Sequence, residues 1–149
     1  EGFAADESVI VMATPPHREG LHRRLAGQGL DLEGASSANR FFSLSAQDTL
    51  DRFMVQGAPD AAMFESVIGG VIEQARAGGR SVRAFGQMVA LLWARGNHSA
   101  ALHLEYLWNK LRRKEPFPLF CPYPRAGFTH ELADSVSAVC RAHSRILPD

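Results

Sequence analysis

The chain has 149 residues, 46% of them hydrophobic, enough for one domain with a sizeable core. Its 16 Lys and Arg balance its 16 Asp and Glu, so it lacks the basic excess by which a direct nucleic-acid binder is recognised. No apolar run approaches the roughly 20 residues that span a bilayer, and no signal peptide is visible, so a cytoplasmic protein without membrane contact is expected.

The first strand is expected at Val9–Ala13, a continuously apolar run of the kind buried on both faces of a sheet. Pro15 and Pro16 open the helix that follows, which turns Leu21 and Leu25 to the core and stops near Gly29. The small, polar stretch Gly34–Asn39 reads as a flexible loop. A second strand follows at Arg40–Leu44. Ser45, with Asp48 three residues on, makes a capping-box-like start to a helix bearing Leu50, Phe53 and Met54. Pro59 opens the longest apolar stripe, Met63, Phe64, Val67, Ile68, Val71, Ile72 and Ala75, closed by Gly78 and Gly79.

A third strand, Ser81–Phe85, runs into a sharp turn at Gly86, and Gln87 enters a helix with Met88, Leu91 and Leu92. Ser99–Arg113 repeats the helical pattern through Ala101, Leu104, Leu107, Trp108 and Leu111. A fourth strand is expected at Leu119–Tyr123. Thr129 caps a last helix whose apolar face is Leu132, Val136, Val139 and Cys140, with His143 in register. Strands alternating with helices imply an α/β fold of three layers, a mostly parallel sheet covered on both faces. Without an internal repeat or low-complexity tract, residues 1–149 count as a single domain.

Candidate chemistry is sparse. After the first strand, where a phosphate loop would need converging backbone N–H groups, the chain offers Ala13-Thr14-Pro15-Pro16-His17. Two prolines remove two donors there, and G-x-x-x-x-G-K-S/T occurs nowhere. His17/His22 and His98/His103 are each five residues apart, about 140° around a helix, so neither pair converges on one metal ion. Those four and His130 read as solvated or capping residues, while His143 is either a satisfied core histidine or a ligand contact. Cys121 and Cys140 show no metal-ligand or redox spacing and read as reduced thiols. Cys121 sits at the C-terminal end of the fourth strand, the edge where open α/β sheets bind ligands. Arg83 within a buried strand requires an acidic or carbonyl partner, and Glu105 is the nearest acidic candidate. Gln87 either caps its turn or hydrogen-bonds a guest, and Trp93 and Trp108 serve either the core or an aromatic pocket wall.

At these residues the chain resembles a known family, the methanogen/methylotroph sensory (MEDS) domain, typified by the sensory region of the repressor of dichloromethane dehalogenase. The matching blocks are VRAFGQMVALLWARGN at Val82–Asn97, AALHLEYLWNKL at Ala100–Leu111, LFCPYP at Leu119–Pro124 and HSRILP at His143–Pro148. Two departures stand out: the family pattern usually has Glu where this chain has Gln87, and a histidine-bearing segment normally precedes the first strand. The resemblance implies a RecA/KaiC-like fold without its phosphate loop. It also implies a ligand-sensing role toward small hydrocarbon derivatives, in company with histidine kinases, DNA-binding regulators or anti-sigma-type regulators.

The leading expectation is therefore a non-catalytic sensory module, part of a longer multidomain regulator, with no cofactor and no metal. A small apolar or weakly polar ligand would meet Trp93, Trp108 and Tyr123, with Arg83, Gln87, Glu105, Cys121 and His143 as its polar contacts. Its other partner would be an attached or associated kinase or DNA-binding output domain, and a homodimer is compatible with that role. The alternatives are a protein-interaction module acting on a kinase or sigma-factor pathway without a small ligand, and an enzyme, either a relic ATPase or a cysteine hydrolase.

Overall fold

The computed structural model describes residues 7–121. At its centre lies β1 (Glu7–Ala13), flanked by β2 (Phe41–Ser45) and β5 (Ser81–Gly86), with β6 (Leu119–Phe120) beyond β5. All pairings in this four-stranded sheet are parallel: Ala13 stands opposite Ser45, Met12 opposite Gly86, and Phe85 opposite Phe120. β1 is covered on both faces, which is why it is an unbroken apolar run rather than an alternation.

One face of the sheet carries α1 (Pro15–Gly27) and α2 (Leu32–Ser37). Their Leu21, Leu25, Leu32 and Ala35 pack against Val11, Ala13 and Phe41. The other face carries α3 (Ala46–Asp51), α4 (Ala61–Ala75), α5 (Met88–Ala94) and α6 (His98–Lys114). Leu50, Phe64, Ile68, Leu92, Leu104 and Trp108 from these helices share the main core with Ile10, Met12, Val82 and Ala84. This is the three-layer α/β arrangement that the alternation of strands and helices implies. Among the described residues no helix is long and apolar enough to cross a membrane.

Several boundaries differ from the sequence reading. The stretch expected to be a loop at Gly34–Asn39 is mostly helix, because Asp31 caps α2 by accepting from the Gly34 N–H at 3.0 Å. The helix after Ser45 stops at Asp51, so Phe53 is buried beyond its end and Met54 enters a short hairpin, β3 (Met54–Val55) with β4 (Ala58–Pro59). Gln56 and Gly57 both adopt positive φ at its tip, the backbone that a tight two-residue hairpin demands. Pro59 thus belongs to the hairpin, and Asp60 caps α4 through the Met63 N–H at 2.9 Å. Met63 is 43% exposed rather than on the buried stripe of Phe64, Ile68, Ile72 and Ala75. Gly86 is not among the residues with positive φ, so its turn needs no glycine conformation. Tyr123, Thr129, Cys140, His143 and the last helix lie outside the described residues.

The N-terminal edge of the sheet is tied shut. The buried Ser8 hydroxyl donates to the Ala75 carbonyl at 2.7 Å and accepts from Arg80 Nε at 3.1 Å. Arg80 Nη2 reaches the carbonyls of Ala38 and Asn39, joining the entrances of β1, β2 and β5 to the end of α4.

Candidate functional site at the strand tips

From β1 the chain passes to β2 on one side, then returns across the sheet to β5 on the other. The order therefore reverses between β1 and β5, and in open α/β sheets the crevice beyond the strand tips at such a reversal is where ligands bind. Three side chains close that crevice here. The Thr14 N–H, just past β1, donates to Gln87 Oε1 at 2.8 Å. Gln87 Nε2 lies 2.8 Å from His17 Nδ1, and the Thr14 hydroxyl lies 2.9 Å from the same ring nitrogen and 3.4 Å from Gln87 Oε1. The Gln87 N–H donates to the Met12 carbonyl at 2.8 Å, which carries the β1–β5 ladder one residue beyond β5.

The chemistry of the donors fixes how this knot is wired. A backbone N–H can only donate, so the amide oxygen must face Thr14 and the amide nitrogen must face His17. His17 Nδ1 is then the acceptor, and the ring proton sits on Nε2. Gln87 is only 7% exposed, so both ends of a buried amide are satisfied. The two prolines explain why Thr14 is free for this. At the first two positions of α1 they leave few N–H groups to cap, and the Thr14 side chain makes no cap bond.

On the β2 side of the knot α1 turns Arg18 and His22 inward. Arg18 Nε donates to Ser43 Oγ at 3.1 Å, and its Nη2 to the Ser43 carbonyl at 3.2 Å. His22 Nε2 lies 2.9 Å from the same hydroxyl, and its ring stands edge-on to Phe41 with centroids 5.5 Å apart.

On the β6 side, the Cys121 thiol lies close to Glu105 of α6. Burial pushes the Cys121 thiol well above its ordinary range, and the Glu105 carboxylate pushes it further, against a smaller opposing pull from Arg112. Its thiolate is thereby disfavoured although the residue as a whole is half-buried.

The residues singled out from sequence are not gathered in one place. Gln87 stands at the switch point, and Glu105 and Cys121 meet at the tip of β6. Arg83 is exposed on the half of β5 away from the tips, and Glu7 rather than Glu105 is its ion-pair partner, at 2.6 Å. It did not need a partner from α6, because this strand position is open to solvent. Trp93 and Trp108 are 2% and 1% exposed and sit in the main core. Trp93 packs on the His98 ring at 4.3 Å, and Trp108 meets Phe64 and Phe117 edge-on. Two cavities bounded by described residues lie elsewhere. One is a groove with about 20 Å³ of free space between α4 and α6 beside Phe64 and Lys114, the other an open hollow of about 270 Å³ between α2 and the start of β2.

Thr14, His17, Arg18, His22 and Ser43 were not singled out as site residues from sequence. Spacing alone discounts His17 and His22 because they do not share a helix face. What joins them to one edge is α1 lying across the tips of β1 and β2, and the one hint in sequence was a threonine before two prolines. Among the described residues no group of three or more His, Cys, Asp or Glu is placed to hold a metal.

A family model described as the MEthanogen/methylotroph, DcmR sensory domain matches residues 1–144. No curated protein and no solved structure matches the chain. With nearly its whole length matched, the chain belongs to the MEDS family of sensory domains.

Proposed function

We propose that this sensory domain is non-catalytic and reads a small organic molecule by its polar end at the strand tips, with Gln87 as the group that exchanges partners. The observation that carries the reading is the buried Gln87 amide bridging Thr14 and His17 across the β1–β5 reversal. A guest offering its own donor and acceptor would replace the bonds of Gln87 to Thr14 and His17. Each such bond contributes about 1 kcal/mol net, so the exchange lies within reach of one ligand. A ligand drives a change only through its preference for one arrangement, and a tenfold response requires about 1.4 kcal/mol. Release of the knot would free the N-terminal turn of α1, whose outer face is exposed, to signal to an attached or associated kinase or DNA-binding output domain.

A second reading is supported by exposed apolar side chains on the helices and the hairpin, Tyr106 at 56%, Val55 at 46% and Met63 at 43%. On that reading the domain docks a protein partner or a second copy without any small ligand. Melting-temperature screening of small organic compounds against the parent chain and Gln87→Ala separates the two. The sensory reading expects compounds that raise the melting temperature of the parent and fail to do so in the variant. Equal shifts in both chains would remove Gln87 from the site.

A further inference from the structure

The inner stripe of α1 runs Arg18, Leu21, His22, Leu25, the i, i+3, i+4, i+7 spacing of a helix face laid on a sheet. The two leucines do what that face calls for and pack against Val11, Ala13 and Phe41. The other two positions are basic. They converge on a single hydroxyl, Ser43 Oγ, at 3.1 Å from Arg18 Nε and 2.9 Å from His22 Nε2. All three residues are half-buried. Arg18 finds only neutral acceptors there, the Ser43 hydroxyl and carbonyl, and among the described residues no carboxylate forms an ion pair with it.

A leucine at position 18 would continue the apolar stripe and avoid taking a guanidinium partly out of water. Tethering α1 to β2 therefore does not account for the choice of residue. A guanidinium fork with spare N–H groups and an imidazole gathered around one hydroxyl are the donor set that grips a carboxylate or phosphate. Among the described residues β2 is the outer strand of the sheet, and Arg18, His22 and Ser43 all keep partial exposure, so the point is reachable. It also adjoins the Gln87 knot, because Arg18 follows His17 directly on α1. We propose that Arg18, His22 and Ser43 form an oxyanion-binding subsite, and that the molecule sensed carries a carboxylate or phosphate group. This rests on the sensory reading above and adds to it the chemical class of the ligand's polar end. Binding would draw the guanidinium and imidazole off Ser43 and onto the anion, loosening α1 from β2 beside the switch point.

The test is a titration of the 149-residue chain with acetate and, separately, inorganic phosphate, at constant ionic strength set with sodium chloride. The ring signals of the histidines and the Arg18 Nε signal are followed by NMR. Saturable shifts of His22 and Arg18 at millimolar anion, with His98 and His103 unmoved, are expected, and the stronger of the two anions identifies the headgroup. Arg18→Gln should weaken binding by about tenfold or more, the loss of a charge-assisted contact, with Arg18→Lys intermediate. If Arg18→Gln does not fold, Arg18→Lys serves, since it keeps the charge, loses the planar fork and should weaken the same shifts. His22 signals that ignore both anions, or that move equally in parent and variants, would overturn the subsite. Uncharged compounds that still stabilise the parent through Gln87 would, in that event, leave the sensory reading standing without it. Anion binding with no organic compound recognised would instead keep the subsite and remove that reading.

Discussion

Gln87 shows how one side chain can tie two strand tips together. Its amide oxygen accepts from the Thr14 backbone N–H at the β1–α1 junction. Gln87→Met keeps the length and removes both hydrogen bonds, leaving the Thr14 N–H unsatisfied, so it should cost about 1–3 kcal/mol in urea unfolding. Cys121 is the second residue with a distinctive chemistry. The folded chain holds its thiol proton more tightly than the unfolded chain does. Below about pH 8.5 both states keep the proton and pH does not change the balance. Above that, the unfolded chain ionises first, so stability falls as pH rises until the folded thiol ionises too. The limiting slope is about 1.4 kcal/mol per pH unit. Comparing urea midpoints of parent and Cys121→Ala under reducing conditions from pH 7 to 10 should show the parent losing more on the alkaline side. Parallel curves would mean that the fold does not hold the thiol proton.

At the scale of elements, the helices start where side chains take over orphaned backbone donors. Ser45 caps α3 at 3.2 Å, Asp60 caps α4 at 2.9 Å and Asn97 caps α6 at 3.3 Å. α1 and α5 have no side-chain cap: the prolines of α1 make one redundant and release Thr14 for the strand-tip knot, and Gln87 ahead of α5 is engaged in that same knot. Asp60→Ala should therefore cost about 1 kcal/mol by chemical unfolding, because α4 supplies the Phe64, Ile68 and Ile72 face of the core. The Ser45 cap could be read directly from Ser-x-x-Asp. The Asp31 cap and the α2 it starts could not, since the six-residue helix Leu-Glu-Gly-Ala-Ser-Ser is too short to show an apolar period. The hairpin was hidden for a related reason: its strands are two residues long, too short to alternate, and only Gly57 marks the turn.

For the molecule as a whole, the large aromatic residues belong to stability. Trp108 touches Phe64 and Phe117 edge-on, and its ring lies below Gly86, where an added Cβ would come within 3.8 Å of it. Trp108→Ala should cost about 3–5 kcal/mol of unfolding free energy, the range for emptying a buried aromatic site. A smaller loss would mean that the core beneath the strand tips is not closed around this ring.

The fold class, the course of the four main strands and the buried faces of α4, α5 and α6 were written in the sequence, because apolar periodicity records which side of an element is removed from water. Family membership was legible too, in the block from Val82 to Asn97. Which polar residues meet was decided only in three dimensions. Parallel pairing puts the tips of β1 and β5 side by side although 73 residues separate Thr14 from Gln87. It also sends Arg83 to Glu7 at the other half of the strand. Hydrogen bonds act over about 3 Å, and no local pattern in the chain encodes a separation in space between residues so far apart in sequence. Periodicity therefore identified what is buried, and chain crossing at the sheet identified what is joined.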